Sequence, residues 1–265
     1  MKTAIKLVLL YFLMQILAAL VVGPFSMLYV YIADGALNSD KAEEIGLAPT
    51  MLLGFVFMGI YLWRKNYLTD DKRLYSPLTA SYLVWSLLAG LSAIFLISAL
   101  ASQLSFLPDW LNQTFSVLQS GWLGIVCISV LGPILEELLF RGAITKVLLR
   151  KYSPVKAILI SGLIFGLFHV NPAQVVSAAL IGFFLAWLYY KTRSLVPCIL
   201  IHILNNSLSV YLNLKYPEVE ELSDLTGNTS FLIFLLVSVL LLFLSLKKLN
   251  EYKLSDININ TTTEV

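Results

Sequence analysis

Charged and strongly polar side chains stand inside three apolar segments of this chain. The first segment contains Glu136, Glu137 and Arg141, the second contains His169, and the third contains His202, Asn205 and Asn206. A charge within a bilayer costs roughly 2.5–3.5 kcal/mol on insertion scales, so such residues mark functional sites by default. Carboxylates, imidazoles and amides are together the usual set for hydrolysis or for ion coupling. The three segments therefore predict one site with either chemistry.

Helical spacing gives these residues an expected geometry. Glu137 and Arg141 stand at i and i+4, which favours an ion pair on one helix face. Glu136 lies about 100° around the helix from Glu137, so we expect the two carboxylates to face different neighbours. His202 and Asn206 share a face by the same i and i+4 spacing, and Asn205 lies close to that face.

A proline precedes the carboxylates. Pro133 lies three residues before Glu136 and removes one main-chain hydrogen bond, so we expect it to kink the helix. A kink there would loosen the packing beside Glu136 and let water approach it.

Each of these residues also has a purely structural explanation when taken alone. A single histidine within a membrane often only bonds two helices, and a Glu–Arg pair often only locks them. An asparagine between helices contributes about 0.6–2 kcal/mol as a polar contact. The occurrence of all these residue types together on three helices favours a functional site over structural pairing.

The composition restricts the class of protein. Of the 265 residues, 58% are apolar and only 13% are charged, with a mean hydropathy of +0.83, whereas soluble domains carry about 25% charged residues. The formal net charge of +2 gives no basic excess for nucleic acid. The cysteines, Cys127 and Cys198, lie in apolar runs without metal-type spacing and are interpreted as core residues. These values indicate an integral membrane protein.

The apolar segments predict an all-α polytopic bundle. A span needs about 20 apolar residues, and about eight candidates occur, near 4–33, 47–63, 78–101, 121–149, 154–171, 173–190, 195–214 and 230–246. We interpret 1–265 as one integral membrane domain with a catalytic core near 121–214 and a disordered tail near 255–265. Residues 102–120 are expected to form an outer loop with an amphipathic piece at the interface.

Basic residues alternate between the predicted loops. With the N-terminus in the cytoplasm, fourteen of the Lys and Arg residues lie inside and two, Lys41 and Lys215, lie outside. This bias follows the positive-inside rule. It predicts that both termini are cytoplasmic and places the protein in a cell membrane, in contact with the lipid bilayer.

The fifth and sixth segments leave an alternative open, because only Asn171 and Pro172 join them. They are either two full spans or a short embedded hairpin. At about 1.5 Å per residue, His202 would lie roughly 10 Å from the cytoplasmic end and His169 roughly 22 Å. The two histidines meet only if the fifth helix starts well inside the cytoplasm, which favours the hairpin and a site open to the cytoplasm.

The three polar segments resemble the CPBP family of intramembrane proteases, which includes type II CAAX prenyl endopeptidases and bacterial Abi-type immunity proteins. The family pattern EExxxR, FxxxH and HxxxN reads here as EELLFR (Glu136 to Arg141), FGLFH (Phe165 to His169) and HILNN (His202 to Asn206). All three motifs occur in order, and the resemblance covers about 121–214.

The resemblance implies a role for each matched residue. Glu136 and His169 would activate a water molecule, while His202 and Asn206 would stabilise the oxyanion. Supporting positions would be Glu137, Arg141, Phe165 and Asn205. A carboxylate in a water-poor site is a suitable general base, and donors aimed at an oxyanion are strongest there.

A metal alternative stays open beside this assignment. Two histidines and one glutamate are a known zinc arrangement, so Glu136, His169 and His202 would be the ligands of a divalent cation such as zinc. The chain has no HExxH motif, and we favour the mechanism without a cofactor.

Three functions follow from these residues. The first is an intramembrane endopeptidase that cleaves peptides or membrane proteins, with no nucleic-acid partner. The second is a proton- or ion-coupled transporter with the acid and histidines as a relay, although no inverted repeat is visible. The third is a non-catalytic bacteriocin-immunity or scaffold protein, which would be expected to have lost a motif residue.

Overall fold

A computed structural model describes residues 1–75, 78–219 and 222–252. The predicted tail near 255–265 lies outside these ranges. The described residues form helices without a β-strand, which confirms the all-α prediction. The helices are α1 (Lys2–Asp34), α2 (Ser39–Arg64), α3 (Ala80–Ser102), α4 (Asn112–Gln119), α5 (Trp122–Leu149), α6 (Pro154–Phe168), α7 (Pro172–Thr192), α8 (Val196–Lys215), α9 (Leu222–Thr226) and α10 (Asn228–Glu251).

Local sequence explains several helix ends. Gly35 ends α1 in the left-handed region, at φ 71°, which glycine adopts without steric cost. The Asn38 side chain accepts a hydrogen bond from the Lys41 main-chain N–H at 3.0 Å and caps α2. Pro154 and Pro172 stand at the starts of α6 and α7, where the missing N–H has no helical partner to lose.

Six of the helices, α1, α2, α3, α5, α7 and α10, are long and apolar enough to cross a membrane. The protein is therefore a multi-pass integral membrane protein. Helix α6 has only 15 residues, about 22 Å at 1.5 Å per residue, which is shorter than the ~30 Å hydrocarbon core. Helix α8 has 20 residues but is outside the six. All eight predicted segments are helical, and these two differ in length or polarity.

The central element of the bundle is α5, which contacts α1, α2, α6, α7 and α8. Within the windows that define the spans, 56% of α5 is buried, against 11% of α1 and 6% of α10. Two π-helical segments, Cys127–Leu131 and Phe140–Thr145, interrupt it. They flank the α-helical turns with Glu136 and Glu137, and π segments are frequent at functional sites. The first ends directly before Gly132 and Pro133, where the sequence predicted a kink.

Small residues bring α6 and α7 into close contact. Gly162 and Gly166 stand four residues apart on α6, the spacing that allows two membrane helices to approach closely. A Cβ atom on Gly166 would meet the Val175 carbonyl oxygen at 2.6 Å, and one on Gly182 would meet the Gly162 Cα at 3.1 Å. The pair is therefore a tight antiparallel hairpin of one short and one long helix.

Main-chain hydrogen bonds between loops agree with helices that alternate in direction. The segment after α2 meets the turn between α7 and α8, where the Leu195 N–H donates to the Leu74 carbonyl at 2.7 Å. At the opposite end, the Ala173 N–H donates to the Pro108 carbonyl at 3.3 Å, joining the loop after α3 to the α6–α7 turn. Cytoplasmic placement of both termini remains a prediction.

A buried cation connects α5 to the segment between α2 and α3. Lys146 is 2% exposed and donates to the Tyr67 carbonyl and to Asp70, which also pairs with Arg150 at 2.9 Å. Burial by itself raises the pKa of the Asp70 carboxyl, but hydrogen bonds and charges from Lys146 and Arg150 outweigh it. The pKa of Asp70 is therefore held below its usual value.

We expect Asp70→Asn to lower thermal stability at neutral pH, because it leaves the Lys146 ammonium buried without its counter-charge. A hydrogen bond to a charged group contributes about 1.5–3 kcal/mol. A carboxyl whose pKa is lowered by folding stabilises above its unfolded pKa of about 3.9, and this contribution is lost as the pH falls through the folded value. The difference in melting temperature from wild type should therefore be largest near pH 7 and vanish in acid.

The pair Asp34 and Lys41 is a matched control, because its atoms are 2.6 Å apart but its side chains are 36% and 45% exposed. Exposed pairs contribute about 0.2–1 kcal/mol, so Asp34→Asn should change the melting temperature little. Equal shifts for both variants would show that Asp70 does not stabilise the fold through Lys146.

Candidate active site

The predicted ion pair on α5 forms and is completely buried. Arg141 Nη1 donates to Glu137 Oε1 at 2.8 Å, and both side chains are 0% exposed. Arg141 Nη2 donates to the Gly182 carbonyl of α7 at 3.0 Å. The guanidinium therefore neutralises Glu137 and ties α5 to the closely packed α6–α7 hairpin.

His202 of α8 lies between the two carboxylates. Its Nδ1 is 2.7 Å from Glu137 Oε1, and its Nε2 is 3.8 Å from Glu136 Oε2. The expectation that Glu136 and Glu137 face different neighbours therefore holds only in part. Both carboxylates lie beside the His202 ring, but Glu137 is hydrogen-bonded to it and Glu136 is not.

Hydrogen-bond chemistry fixes the roles of the His202 nitrogens. Glu137 Oε1 already accepts from Arg141, so its partner Nδ1 carries a proton and donates to the same oxygen. In neutral His202 the Nε2 atom is an acceptor directed at Glu136. In protonated His202 the same atom is a donor, and the carboxylate of Glu137 stabilises that charge.

His169 follows the last residue of α6 and is half-buried. Its Nδ1 is 2.8 Å from the Phe165 carbonyl oxygen. A carbonyl only accepts, so Nδ1 carries the proton and the other ring nitrogen, Nε2, is an acceptor in the neutral ring. This is the form that a general base requires.

Phe165 is the common neighbour of both histidines. Its ring centroid is 4.9 Å from that of His169 and 5.6 Å from that of His202, with an edge contact in each case. The Arg141 guanidinium carbon lies 4.5 Å from the same centroid. Both histidines therefore lie against the same fully buried ring, and their direct approach to each other, on which the depth argument depends, stays a prediction.

Asn206 joins α8 to the first π-helical segment of α5. Its Nδ2 donates to the Ile128 carbonyl at 3.0 Å, and its Oδ1 accepts from Asn205 Nδ2 at 3.0 Å. Both contacts orient the amide. One Nδ2 hydrogen remains for another acceptor.

Three polar atoms of the cluster are buried without a hydrogen-bond partner among the described residues: Glu136 Oε2, Glu137 Oε2 and Arg141 Nε. The Glu136 side chain is 15% exposed, whereas that of Glu137 is 0% exposed. Glu136 is therefore the carboxylate that a water molecule can reach, and Glu137 belongs to the scaffold.

The turn after His169 contains a strained residue and is hydrogen-bonded to the loop after α3. Val170 has φ 59°, a region that β-branched residues rarely adopt. The completely buried Asn171 donates from Nδ2 to Asp109 Oδ1 at 2.8 Å, and its Oδ1 accepts from the Trp110 N–H at 3.0 Å. The loop after α3 therefore fixes the backbone that positions His169.

Known proteins resemble the part of the chain that contains this cluster. Residues 117–208 match the family model described as "Type II CAAX prenyl endopeptidase Rce1-like". A protein of Bacillus subtilis (strain 168), described as "Putative membrane peptidase YdiL", is 35% identical over 99 residues, which are 37% of this chain and 41% of that protein. The chain thus spans about two fifths of this curated relative. No solved structure matches.

The matched stretch contains every site residue predicted from the sequence. The individual roles of those residues remain predictions. Among the described residues, no three His, Cys, Asp or Glu side chains converge as a group that could bind a metal ion. We therefore derive no step through a metal, and the alternative ligands Glu136, His169 and His202 stay a prediction.

Tyr11, outside the matched stretch, also approaches the cluster, and Gln15 lies beside Tyr11. Tyr11 of α1 interacts electrostatically with Glu136 and with the Gln15 side chain, and its ring is 4.7 Å from that of Phe168. Gln15 fits against Gly54, where a Cβ atom would meet Gln15 Oε1 at 2.4 Å. An amide inside the first apolar span was the sequence signal that could have identified this neighbour.

Proposed function

We propose that the chain is an intramembrane endopeptidase that hydrolyses peptide bonds of peptides or membrane proteins. The observation that supports this most is the three-helix cluster in which His202 lies between Glu136 and Glu137. Glu137 is neutralised by Arg141 and completely buried, whereas the Glu136 side chain is 15% exposed. The more exposed carboxylate is suited to act as the general base of a hydrolysis, and the neutralised one holds His202.

In the proposed reaction Glu136 and His169 remove a proton from water, and the hydroxide attacks the peptide carbonyl carbon. The carbonyl oxygen becomes an oxyanion, which accepts hydrogen bonds from Asn206 Nδ2 and from protonated His202 Nε2. The carbon–nitrogen bond then breaks, and the proton passes to the leaving amine. The apolar walls keep other water away and strengthen each of these bonds.

The test is cleavage of a fluorogenic peptide panel by the purified full chain in nanodiscs, with Glu136→Ala beside the wild type. Proton and cation flux is measured in liposomes that contain the same two proteins. We expect Glu136-dependent cleavage, with products identified by mass spectrometry. Glu136-dependent flux without cleavage would support the transporter instead.

We expect Asn206→Ala to lower kcat about 10²–10³-fold with KM largely unchanged, because it removes a donor that acts on the oxyanion. Asn205→Ala is the matched control, since Asn205 reaches the site only through Asn206 Oδ1 at 3.0 Å. Steady-state kinetics on one peptide decide this. Equal losses in both variants would argue for a purely orienting role of Asn206.

We expect Asn171→Ala to lower kcat about 10²-fold, the effect of roughly 1 Å misplacement of a catalytic group, because the turn that positions His169 loses its link to Asp109. Asp109→Asn keeps an acceptor oxygen for the 2.8 Å hydrogen bond, so its kcat should stay near the wild-type value while Asp109→Ala follows Asn171→Ala. If Asp109→Asn and Asp109→Ala are equally impaired, the hydrogen bond is not what positions His169.

A further inference from the structure

One face of α8 is polar from the site to the helix end. His202, Asn206, Ser209 and Asn213 stand at i, i+4, i+7 and i+11 and therefore share a face. The opposite face presents Leu208 and Tyr211, which are 38% and 57% exposed. The helix thus has an apolar side suited to lipid and a polar side that is not.

The polar face changes from paired to open along its length. His202 and Asn206 bond to α5, at Glu137 and at the Ile128 carbonyl. Beyond them Ser209 and Asn213 are exposed. Asn213 Nδ2 donates to Gln119 Oε1 of α4 at 3.3 Å, which marks α4 as one wall beside the open part.

This polarity also explains why α8 is outside the six apolar spans, although its 20 residues would be long enough. Polar side chains at membrane depth face the bundle interior or a water-filled cavity. Ser209 and Asn213 are exposed and do not face the interior, so they require water.

We propose that the polar face of α8 lines a water-filled groove that leads from the Lys215 end of the helix to His202 and takes up an extended segment of peptide substrate. The proposal rests on the proposed peptidase function and names its route of substrate entry. From Asn213 to His202 is about 16 Å at ~1.5 Å per residue, enough for about five extended residues at ~3.3 Å each.

The chemistry of the groove fits a main chain. An extended peptide in a membrane must satisfy its N–H and C=O groups. Asn206 and Asn213 each use one Nδ2 hydrogen within the protein and keep a second one that can donate to a peptide carbonyl. The charge pattern places the Lys215 end outside the cytoplasm. Entry from that side differs from the cytoplasmic opening that the estimated depths of His169 and His202 favoured. Those depths were estimated without regard to which face of α8 is polar.

Cysteine labelling in vesicles tests the groove with neighbouring positions. Ser209→Cys and Leu208→Cys lie at the same depth on different faces, and the native Cys127 and Cys198 are buried, so the wild type serves as the blank. Thiols react as thiolates, which need water. With a membrane-impermeant maleimide we expect Ser209→Cys to react at least about tenfold faster than Leu208→Cys.

Two further readings complete the test. A cleavable peptide should slow the labelling of Ser209→Cys, and labelling should occur when the reagent is outside right-side-out vesicles. Equal labelling of both cysteines, labelling only from the cytoplasmic side, or no protection by peptide would overturn the proposal. If the labelling is as expected but the wild type cleaves no peptide, the groove is supported as a path for water and the proposed peptidase function is contradicted.

Discussion

Glu136→Gln is expected to lower kcat for peptide cleavage about 10²–10⁴-fold, the contribution of a general base. Glutamine keeps the size of the side chain but cannot accept the proton of the attacking water. Glu136 is the carboxylate with a partly exposed side chain, and its Oε2 has no hydrogen-bond partner among the described residues. The melting temperature should stay near the wild-type value, because this oxygen makes no hydrogen bond that the substitution breaks.

Glu136→Asp is the matched variant for this prediction. It restores a carboxylate about one methylene further from the substrate, so its activity should lie between that of the wild type and that of Glu136→Gln. Cleavage by Glu136→Gln at the rate of Glu136→Asp would mean that size at position 136, and not proton transfer, is what matters.

Arg141→Ala is expected to destabilise the fold by about 3–5 kcal/mol, the effect of breaking a buried ion pair. Glu137 would keep only His202 as a partner, and the Gly182 carbonyl would lose the donor that holds α7. Melting curves in detergent should show a far larger loss for Arg141→Ala than for Glu136→Gln. Arg150→Ala is the control, because Arg150 is 62% exposed.

A double variant separates charge from packing at this pair. Replacing both partners of a buried ion pair by groups of similar shape is often neutral for stability, so Glu137→Gln with Arg141→Met should recover much of the lost stability. It should not recover cleavage, because His202 Nδ1 loses the carboxylate that stabilises its protonated ring. Recovery of activity together with stability would contradict the role given to Glu137.

The ion pair between Glu137 and Arg141 was predictable because both residues lie on one helix, where sequence spacing sets the distance. The bridging position of His202 was not, since it depends on how α8 packs against α5. The same reason explains why His202 lies beside both carboxylates, which their angular separation on α5 did not indicate. Angles around one helix do not say what an adjacent helix places between them.

Backbone irregularity was only partly predictable. Pro133 predicts a kink, which stays a prediction, and the irregularity that the structure shows beside it is the π segment ending at Leu131. The second π segment, at Phe140–Thr145, contains no proline, so the sequence offered no comparable signal for it. Hydrophobic segmentation likewise found the eight helices that correspond to its segments, α1–α3, α5–α8 and α10, but not the short length of α6.

Contacts between distant loops had no sequence signal of comparable strength. The bonds of Asn171 to Asp109 and Trp110 join residues about 60 positions apart, and an Asn-Pro turn is compatible with many partners. The approach of Tyr11 to Glu136 depends on the packing of α1, a helix that hydropathy alone describes only as a lipid-facing span.

The most direct test of the account is the cleavage rate of one peptide by the purified full chain after exhaustive treatment with a chelator, with Glu136→Gln beside it. We expect the wild type to keep its activity without bound metal and Glu136→Gln to have lost it. Stoichiometric zinc with reversible loss of wild-type activity on chelation would contradict the proposed mechanism, and undiminished cleavage by Glu136→Gln would contradict the site itself.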